Sequence, residues 1–240
     1  MPDSMRNILI IGGSSGIGRS VVEQLSKTDC HIWCASRRSI DDYDRWGVKY
    51  IELDVASDDL SFLNNNLPDQ LNGIVYCPGT INLKPFQMLT AEDFVNDFQV
   101  NLMGSVKVLQ TCQKKLVSSK DASVVLFSTV ASRIGMSYHA SVAAVKSAVE
   151  GLAITLACEW ARYNIRVNVI APSLTDTPLA RSLLADDKRR NASADRHPLK
   201  RIGNPEDIAA AVVYLLDEKS SWITGQVLGV DGGLSKLKPI

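Results

Sequence analysis

The sequence lacks several features that would mark particular classes of protein. Its 240 residues carry no net charge, because 26 lysines and arginines balance 26 aspartates and glutamates, so a nucleic-acid binder with a basic surface is not expected. No apolar run approaches the length of a membrane span or of a signal peptide. The five cysteines are odd in number and form no CxxC pair, which indicates small core residues in a reducing compartment. We therefore expect a cytoplasmic protein that works without a nucleic acid, a membrane or a metal ion.

Linkers and repeats are also missing, and an alternation of strands and helices takes their place. No segment rich in glycine, serine or proline divides the chain, whereas short runs of valine and isoleucine are typical of strands buried on both faces of a sheet. These runs cover residues 7–11, 31–35, 48–53, 73–77, 123–127, 166–170 and 226–230. The alternation predicts one α/β domain over residues 1–240, with a doubly wound parallel seven-stranded sheet and helices on both faces. A helical flap is expected at about residues 179–200, before a helix that Asn204 caps.

A glycine-rich turn lies between the first predicted strand and the first predicted helix. Residues without a Cβ let the backbone approach a pyrophosphate, which the N-terminus of the following helix attracts. Because the pattern GGSSGIG follows a strand and opens a helix, it indicates dinucleotide binding in a Rossmann-type fold. The residues expected at the phosphates are Gly12, Ser14, Ser15, Gly16, Ile17 and Gly18.

The end of the second strand bears on the choice of dinucleotide. A cofactor with a free ribose 2′-hydroxyl usually meets a carboxylate here, whereas a 2′-phosphate meets cations and hydroxyl groups. The sequence has Ser36, Arg37 and Arg38 at this point and no acid. We expect NADP(H) to be preferred, with NAD(H) as the second choice. The alternative is that the two arginines are simply solvated.

Taken together, these motifs resemble those of the short-chain dehydrogenase/reductase family over nearly the whole chain. The family's GxxxGxG occurs at residues 12–18, and "NIRVNVIAPSLTDTP" (164–178) and "ITGQVLGVDGG" match two of its later segments. The resemblance implies a nicotinamide cofactor, a small-molecule substrate and a homo-oligomer, either a dimer or a tetramer. It further implies a set of cofactor-binding residues that includes Asp54, Val55, Gly79, Pro172 and Thr177.

The chain departs from the family pattern at three places outside the catalytic helix. Cys77 and Pro78 stand where the family has asparagine and alanine before Gly79. Ser173 stands where the family usually has glycine, directly after Pro172. We therefore expect the end of the fourth strand to pack differently from that of other members.

The same resemblance assigns the catalytic residues and shows that one is missing. The run VKSAVEGL aligns with the family's catalytic helix, which makes Lys146 the lysine of its Tyr-x-x-x-Lys pair and Val142 the residue at the tyrosine position. Spacing of i, i+4 stacks such side chains on one face of a helix, but valine has no proton to give. Thr129 stands at the position of the catalytic serine, or Ser128 does if the loop differs by one residue, and Asn101 is the active-site asparagine.

Two residues upstream of Val142 are candidates for the missing acid. Tyr138 and His139 precede the helix, which Ser141 is predicted to cap. A histidine can donate a proton near neutral pH, and a tyrosine can do so if Lys146 lowers its pKa. The alternative is that both residues only line a pocket.

Two functions therefore remain open at the level of the sequence. The first is an NADP(H)-dependent oxidoreductase that acts on a carbonyl or conjugated carbonyl, for example a 3-oxoacyl or enoyl thioester. The second is a dinucleotide-binding pseudoenzyme or sensor with little redox turnover, because the usual tyrosine is absent.

Overall fold

A parallel seven-stranded sheet runs through the computed structural model, which describes residues 5–56 and 59–238. Its strands are β1 (Arg6–Ile11), β2 (Cys30–Ser36), β3 (Lys49–Glu52), β4 (Gly73–Tyr76), β5 (Ala122–Phe127), β6 (Ile165–Pro172) and β7 (Val227–Val230). Every neighbouring pair is parallel, in the spatial order β3-β2-β1-β4-β5-β6-β7. All seven predicted strands are confirmed, with ends that move by no more than two residues.

Helices cover both faces of the sheet and divide the core in two. Alternate residues of β1 enter opposite cores, Leu9 on one face and Ile10 on the other, as expected for a strand buried on both sides. One core includes α5 (Gly104–Ser119) and α6 (Ala140–Trp160), and the other includes α1 (Gly16–Leu25) and α8 (Pro205–Leu216). Shorter helices are α2 (Asp42–Arg45), α3 (Leu63–Asn66), α4 (Ala91–Phe98) and α7 (Asp187–Asp195). The doubly wound α/β architecture is therefore confirmed.

The order of the strands reverses between β1 and β4. β1 pairs with β2 on one side and with β4 on the other, so the connections after these two strands leave in opposite directions. In open parallel sheets this reversal opens a crevice at the carboxyl ends of the strands, where ligands bind. The glycine-rich turn after β1 lies at this crevice.

The longest helix, α6, carries the stretch that contains Val142 and Lys146. Residues 140–163 are long and apolar enough to cross a membrane by length and composition alone. In the fold, α6 buries Val149 and Ala153 in the core that it shares with the sheet, which is the pattern of a core helix. The predicted cap at Ser141 is wrong, because the helix begins at Ala140 and His139 occupies the N-cap position.

The segment expected to form a flap is helical in part. A 3₁₀ turn, Pro178–Leu184, follows β6, and α7 comes next. The predicted start of α8 is confirmed, since Pro205 is its first residue and the Asp207 carboxylate accepts a hydrogen bond of 2.7 Å from the Asn204 N–H.

Candidate functional site

The turn after β1 is a close-packed cradle that only glycine can form. A Cβ at Gly18 would lie 2.3 Å from the carbonyl oxygen of Gly12, and Gly12 itself has φ +80°, a conformation that other residues rarely adopt. Ser15 occupies the N-cap of α1 without a side-chain capping hydrogen bond. The first N–H groups of α1 therefore point out of a glycine cradle, which suits an anionic group such as a pyrophosphate.

Two of the other residues expected in this region also adjoin the cradle. A Cβ at Gly16 would lie 3.2 Å from Thr177 Cγ2, so the segment after β6 meets the glycine turn. Ile17 and Pro172 line the same large cavity as Thr177. Pro172 and Thr177 thus line the same cavity as the catalytic residues described below, and Thr177 also contacts the cradle.

The end of β2 presents two exposed arginines and one buried serine. The Ser36 hydroxyl donates to the Arg38 carbonyl oxygen at 2.9 Å, so it stabilises the turn. Arg37 and Arg38 are exposed, and within residues 5–56 and 59–238 neither forms a salt bridge. Their guanidinium groups are available to a phosphate, and the hydroxyl of Ser36 is engaged elsewhere.

The end of β3 supplies the residues expected near an adenine. Asp54 is exposed, and its Oδ1 accepts a hydrogen bond of 3.0 Å from the Ala56 N–H. Val55 is buried, and its Cβ would lie 3.2 Å from a Cβ built on Gly104. Asp54 therefore has one carboxylate oxygen turned to its own loop, while Val55 anchors that loop on α5.

Lys146 is buried and points at the sheet. Its Nζ donates to the Phe127 carbonyl oxygen at 2.9 Å. Burial lowers the pKa of Lys146 to about 8, although the neighbouring Cys77 and Asp97 oppose the shift. Since burial also raises the pKa of the Cys77 thiol, Asp97 is the anion that favours the ammonium form near neutral pH.

Asn101 lies beside Lys146 in a π-helical segment, Gln99–Met103, between α4 and α5. Its Nδ2 donates to Thr80 Oγ1 at 2.8 Å and to the Asp97 carbonyl oxygen at 2.7 Å. Its Oδ1 is buried without a hydrogen-bond partner. A Cβ at Gly79 would lie 3.3 Å from this Oδ1 and 3.6 Å from Lys146 Nζ. The unsatisfied oxygen beside a buried ammonium fits a water molecule or a ligand hydroxyl.

A buried carboxylate, Asp97, was not predicted from the sequence. Its Oδ1 accepts from Thr80 Oγ1 at 2.6 Å, and its Oδ2 accepts from Ser141 Oγ at 2.5 Å. Asp97 stands four residues before Asn101 on the same helical segment, and this spacing, which puts both on one face, was the available signal. The group ties α4 to α6 next to Lys146.

A cavity of about 720 Å³ joins these elements at the carboxyl ends of the strands. Val142 lines it one helical turn before Lys146, as the i, i+4 spacing requires. Thr129 also lines it, and its Oγ1 accepts a hydrogen bond of 3.3 Å from the Ala131 N–H, which leaves its own O–H free to donate. By contrast, Ser128 Oγ donates to Glu150 Oε1 at 2.6 Å. Of the two hydroxyl groups considered, that of Thr129 is the available one.

Tyr138 and His139 both line the cavity, at the mouth and at the start of α6. Tyr138 has φ +69° and is 58% exposed. His139 is partly buried, and its Nδ1 lies 2.7 Å from the Ser137 carbonyl oxygen. The fold therefore brings both candidates to the same cavity as Lys146 and Thr129.

A second polar pair at the cavity was missed by reasoning from the sequence. Ser173 Oγ lies 2.8 Å from His197 Nε2, and His197 Nδ1 lies 2.8 Å from the Ser193 carbonyl oxygen. Ser173 lines the large cavity and also a smaller one of about 190 Å³, which His197 lines. The unusual serine after Pro172 was the only sequence signal, because His197 is distant in the chain.

Known proteins are similar to this chain in sequence. Residues 12–235 match the family described as Enoyl-(Acyl carrier protein) reductase. A tropinone reductase homolog from Arabidopsis thaliana is 33% identical over 242 residues, which cover 95% of this chain and 92% of the relative. The chain is thus similar to this relative over nearly its whole length.

Solved structures show the same architecture. The ligand-free aldohexose dehydrogenase from Thermoplasma acidophilum is 27% identical and superposes with a TM-score of 0.91, over 98% of this chain and 96% of that one. ElxO with NADP bound, at 24% identity, has the same fold, with a TM-score of 0.89 over 98% of this chain and 100% of that one.

Proposed function

The chain belongs to the short-chain dehydrogenase/reductase family, and we propose that it is an NADP(H)-dependent oxidoreductase that reduces a carbonyl or conjugated carbonyl by hydride transfer. The observation that carries this proposal is the convergence of Lys146, Asn101 and Thr129 on one cavity beside the glycine cradle. Oxidoreductase chemistry with a nicotinamide dinucleotide is the activity of this family. The preference for NADP(H) and the class of substrate are the parts proposed here.

The cofactor choice rests on the charges at the end of β2. Arg37 and Arg38 are exposed without salt bridges in the described ranges, and the strand ends without an acid. A 2′-phosphate gains charge-assisted hydrogen bonds from such guanidinium groups. ElxO, a structural neighbour of the same fold, is a protein with NADP bound. Asp54 and Val55 would hold the adenine end, and Gly79, Pro172 and Thr177 would flank the nicotinamide end.

The residues that line the cavity have different roles in the proposed reaction. When bound, the nicotinamide supplies the hydride. Lys146 would hold the nicotinamide ribose through its ammonium, and the unsatisfied Oδ1 of Asn101 would hold a water molecule beside it. Thr129 would donate its O–H to the carbonyl oxygen, where negative charge develops. Val142 contributes no proton, so the proton must come from another group that lines the cavity, among them Tyr138 and His139.

The lining of the cavity supports an apolar carbonyl compound as substrate. Aliphatic side chains from the 3₁₀ turn and from the segments after β4 and β5 make up much of the wall: Ile81, Leu83, Ile134, Met136, Leu179 and Leu183. The family match, with its description as an Enoyl-(Acyl carrier protein) reductase, supports thioesters such as 3-oxoacyl or enoyl groups among the candidates.

A second function, a dinucleotide-binding sensor with little turnover, is favoured by one observation. Val142 occupies the position of the family's usual acid. Both functions require NADPH binding, and they differ in turnover. We expect wild-type protein to oxidise NADPH in the presence of at least one ketone, enone or acyl thioester from a panel. Tight NADPH binding without oxidation across the whole panel would favour the sensor. Lys146→Ala is the matched variant, which should lose turnover in the first case.

The assembly and location also remain proposals. Several large apolar side chains are exposed, including Trp222 at 98% and Phe86 at 72%, and contacts between copies would cover such residues. We therefore favour a cytoplasmic homo-oligomer, either a dimer or a tetramer. Light scattering coupled to size-exclusion chromatography tests this, and a monomer at micromolar concentration would contradict it.

A further inference from the structure

We propose that Ser173 donates the proton to the substrate oxygen and that His197 then reprotonates Ser173, so that this pair replaces the absent tyrosine. The inference rests on the proposed oxidoreductase function and names the acid for that same cavity. Ser173 lines the large cavity together with Lys146, Thr129 and Val142, while His197 stands behind it in the smaller cavity.

The hydrogen bonds of His197 determine which of the two residues, Ser173 or His197, donates to the other. A carbonyl oxygen can only accept, so Nδ1, which lies 2.8 Å from the Ser193 carbonyl oxygen, must carry a hydrogen. In the neutral ring Nε2 then accepts the hydrogen of Ser173 Oγ across 2.8 Å. In the protonated ring Nε2 donates to Ser173 Oγ, and the serine hydrogen is turned to the cavity. Protonation of His197 thus converts Ser173 from a donor to the ring into a donor to a ligand.

The position of Ser173 is held by its backbone. Its N–H donates to the Val230 carbonyl oxygen at 3.4 Å, and its own carbonyl oxygen accepts from Thr175 Oγ1 at 3.0 Å. Proton transfer requires a donor within hydrogen-bond reach of a fixed point. The backbone of Ser173 is thus held by two hydrogen bonds, whereas Tyr138 is 58% exposed at the mouth of the cavity.

The helix dipoles act differently on His197 and on His139, the histidine that lines the large cavity. His139 occupies the N-cap of α6, where the positive end of the dipole disfavours an imidazolium. His197 follows the last turn of α7, and its ring donates to the Ser193 carbonyl oxygen of that turn. A cation at a helix C-terminus is stabilised by the same dipole. Of the two rings, His197 is the one that lies at the end of a helix whose dipole favours a cation.

Charged groups lie near His197 on the segments that follow α7 and β7 and on α8. Asp231, after β7, lines the smaller cavity with His197. Burial raises the pKa of Asp231, but the hydrogen bonds from Ser235 and Gly233 and the nearby His197 together lower it by more. The net shift is downward, so this carboxylate is an anion at neutral pH. Arg201 also lines the cavity but is paired with Asp207 at 2.6 Å. Arg196, adjacent in sequence, lines the large cavity. Among these groups, Asp231 is the anion that lines the same cavity as the ring.

These groups and the reduced cofactor supply the proton and the electron pair that the reduction needs. As the hydride bonds to the carbonyl carbon, the π electron pair moves to the carbonyl oxygen, which takes the proton of Ser173 Oγ. The serine oxygen takes the proton of His197 Nε2 in the same direction. The neutral imidazole that remains regains a proton from solvent through the smaller cavity. In the oxidation direction each transfer runs in reverse.

Variants at the two positions test the relay by kinetics. Ser173→Gly, which installs the family's usual residue, should lower kcat/KM on the order of 100-fold, because general acid catalysis contributes at least this much. Ser173→Thr keeps the hydroxyl and should restore most of the rate. His197→Gln keeps a polar contact but has no ring nitrogen that can give and regain a proton, so it should lower kcat/KM as Ser173→Gly does and should change the shape of the kcat pH profile. Exposed His31→Gln and Ser147→Ala serve as matched controls.

A second readout does not depend on turnover. NADP⁺ brings a positive ring to the cavity, so its binding, measured over a range of pH, should release fewer protons from His197→Gln than from wild type. If wild type oxidises NADPH but Ser173→Gly retains its rate, the relay is wrong and the oxidoreductase function stands. If wild type turns over no substrate, the oxidoreductase function fails. The proton release then decides alone whether His197 is coupled to the large cavity through Ser173, and equal release by both proteins would overturn that coupling.

Discussion

Val142 stands one helical turn before Lys146, and both side chains line the wall of one cavity. The valine side chain is only 6% exposed, yet it borders a space of about 720 Å³. A larger side chain at this position can therefore extend into the cavity without displacing the core. The position of the usual acid therefore keeps its place one turn before Lys146, but its side chain lacks the phenol ring with its hydroxyl group.

Val142→Tyr should raise turnover, because the phenol would lie over the Lys146 ammonium, which lowers a tyrosine pKa. A gain on the order of 10-fold in kcat is expected, below the 100-fold or more of an optimised acid. NADPH oxidation with the best substrate of the panel measures it. Val142→Phe, which adds the ring without the hydroxyl, is the control. An equal gain in both variants would mean that the effect is one of packing.

Arg37→Ala should weaken NADPH binding and leave NADH binding nearly unchanged, because only NADPH has a 2′-phosphate for the guanidinium group. We expect a loss of about 10-fold in affinity for NADPH, in line with one charge-assisted hydrogen bond of about 1.5 kcal/mol. Fluorescence titration with both cofactors measures this. Arg162→Ala, which removes an exposed arginine stacked on Tyr163, should alter neither affinity. A parallel loss for NADH would place Arg37 elsewhere than at the 2′-phosphate.

Lys146→Met should stabilise the protein at pH 7 and lose this advantage as the pH rises. The folded-state pKa of Lys146 is about 8, below the ordinary 10.5, so the native state binds fewer protons than the unfolded state between these values. The buried charge therefore costs stability below pH 8, and the cost disappears towards pH 10.5. The difference in pKa corresponds to about 3 kcal/mol, from which the lost hydrogen bond to Phe127 subtracts about 1 kcal/mol.

Urea denaturation at several pH values measures the effect of Lys146→Met. The free energies of unfolding of variant and wild type should converge between pH 8 and pH 10.5. Exposed Lys27→Met is the control and should show no such convergence. A difference that stays constant with pH would mean that Lys146 is not the titrating group.

Asp97→Ala should destabilise the protein by roughly 2 to 4 kcal/mol, because the half-buried hydroxyl of Thr80 and the buried hydroxyl of Ser141 lose their acceptor. It should also lower the pKa of Lys146 further, since Asp97 opposes that shift. Chemical denaturation measures the first effect, and the pH dependence of NADPH binding measures the second. Glu92→Ala, at an exposed acid on the same helix, should change neither quantity. If Asp97→Ala leaves stability unchanged, the three-residue hydrogen-bond group does not hold α4 against α6.

The sheet could be predicted because its five central strands are short runs of mostly buried apolar residues with their own boundaries. The expected burial on both faces was wrong for β3 and β7, which contain no buried residue because they are the edge strands. The cofactor cradle could be predicted for a similar reason, since the tight approach of Gly18 to Gly12 is a local property of one turn. The start of α6 was predicted wrongly because Ser141 is a good cap on local grounds. Its hydroxyl is instead drawn to the buried Asp97, a contact that depends on how α4 packs.

The contact between Ser173 and His197 could not be predicted from spacing. The two residues are separated by a 3₁₀ turn and by α7, and their meeting depends on how this segment folds back over β6. The unusual Ser173 marked one half of the pair. Nothing in the sequence around His197 identified the other half.

The groups that hold the cofactor and the group that supplies the proton lie in parts of the molecule that are connected differently to the core. Lys146, Asn101 and the glycine cradle are attached to the sheet and its long helices. His197, in contrast, follows the last turn of α7, a nine-residue helix in which Ser193 is the single buried residue. A change that frays this turn would remove the ring's partner carbonyl and the favourable end of the dipole at once. Mutations in α7 remote from any ligand would then leave cofactor binding intact while they slow the reaction, and substrates that order this helix would be selected by rate rather than by affinity.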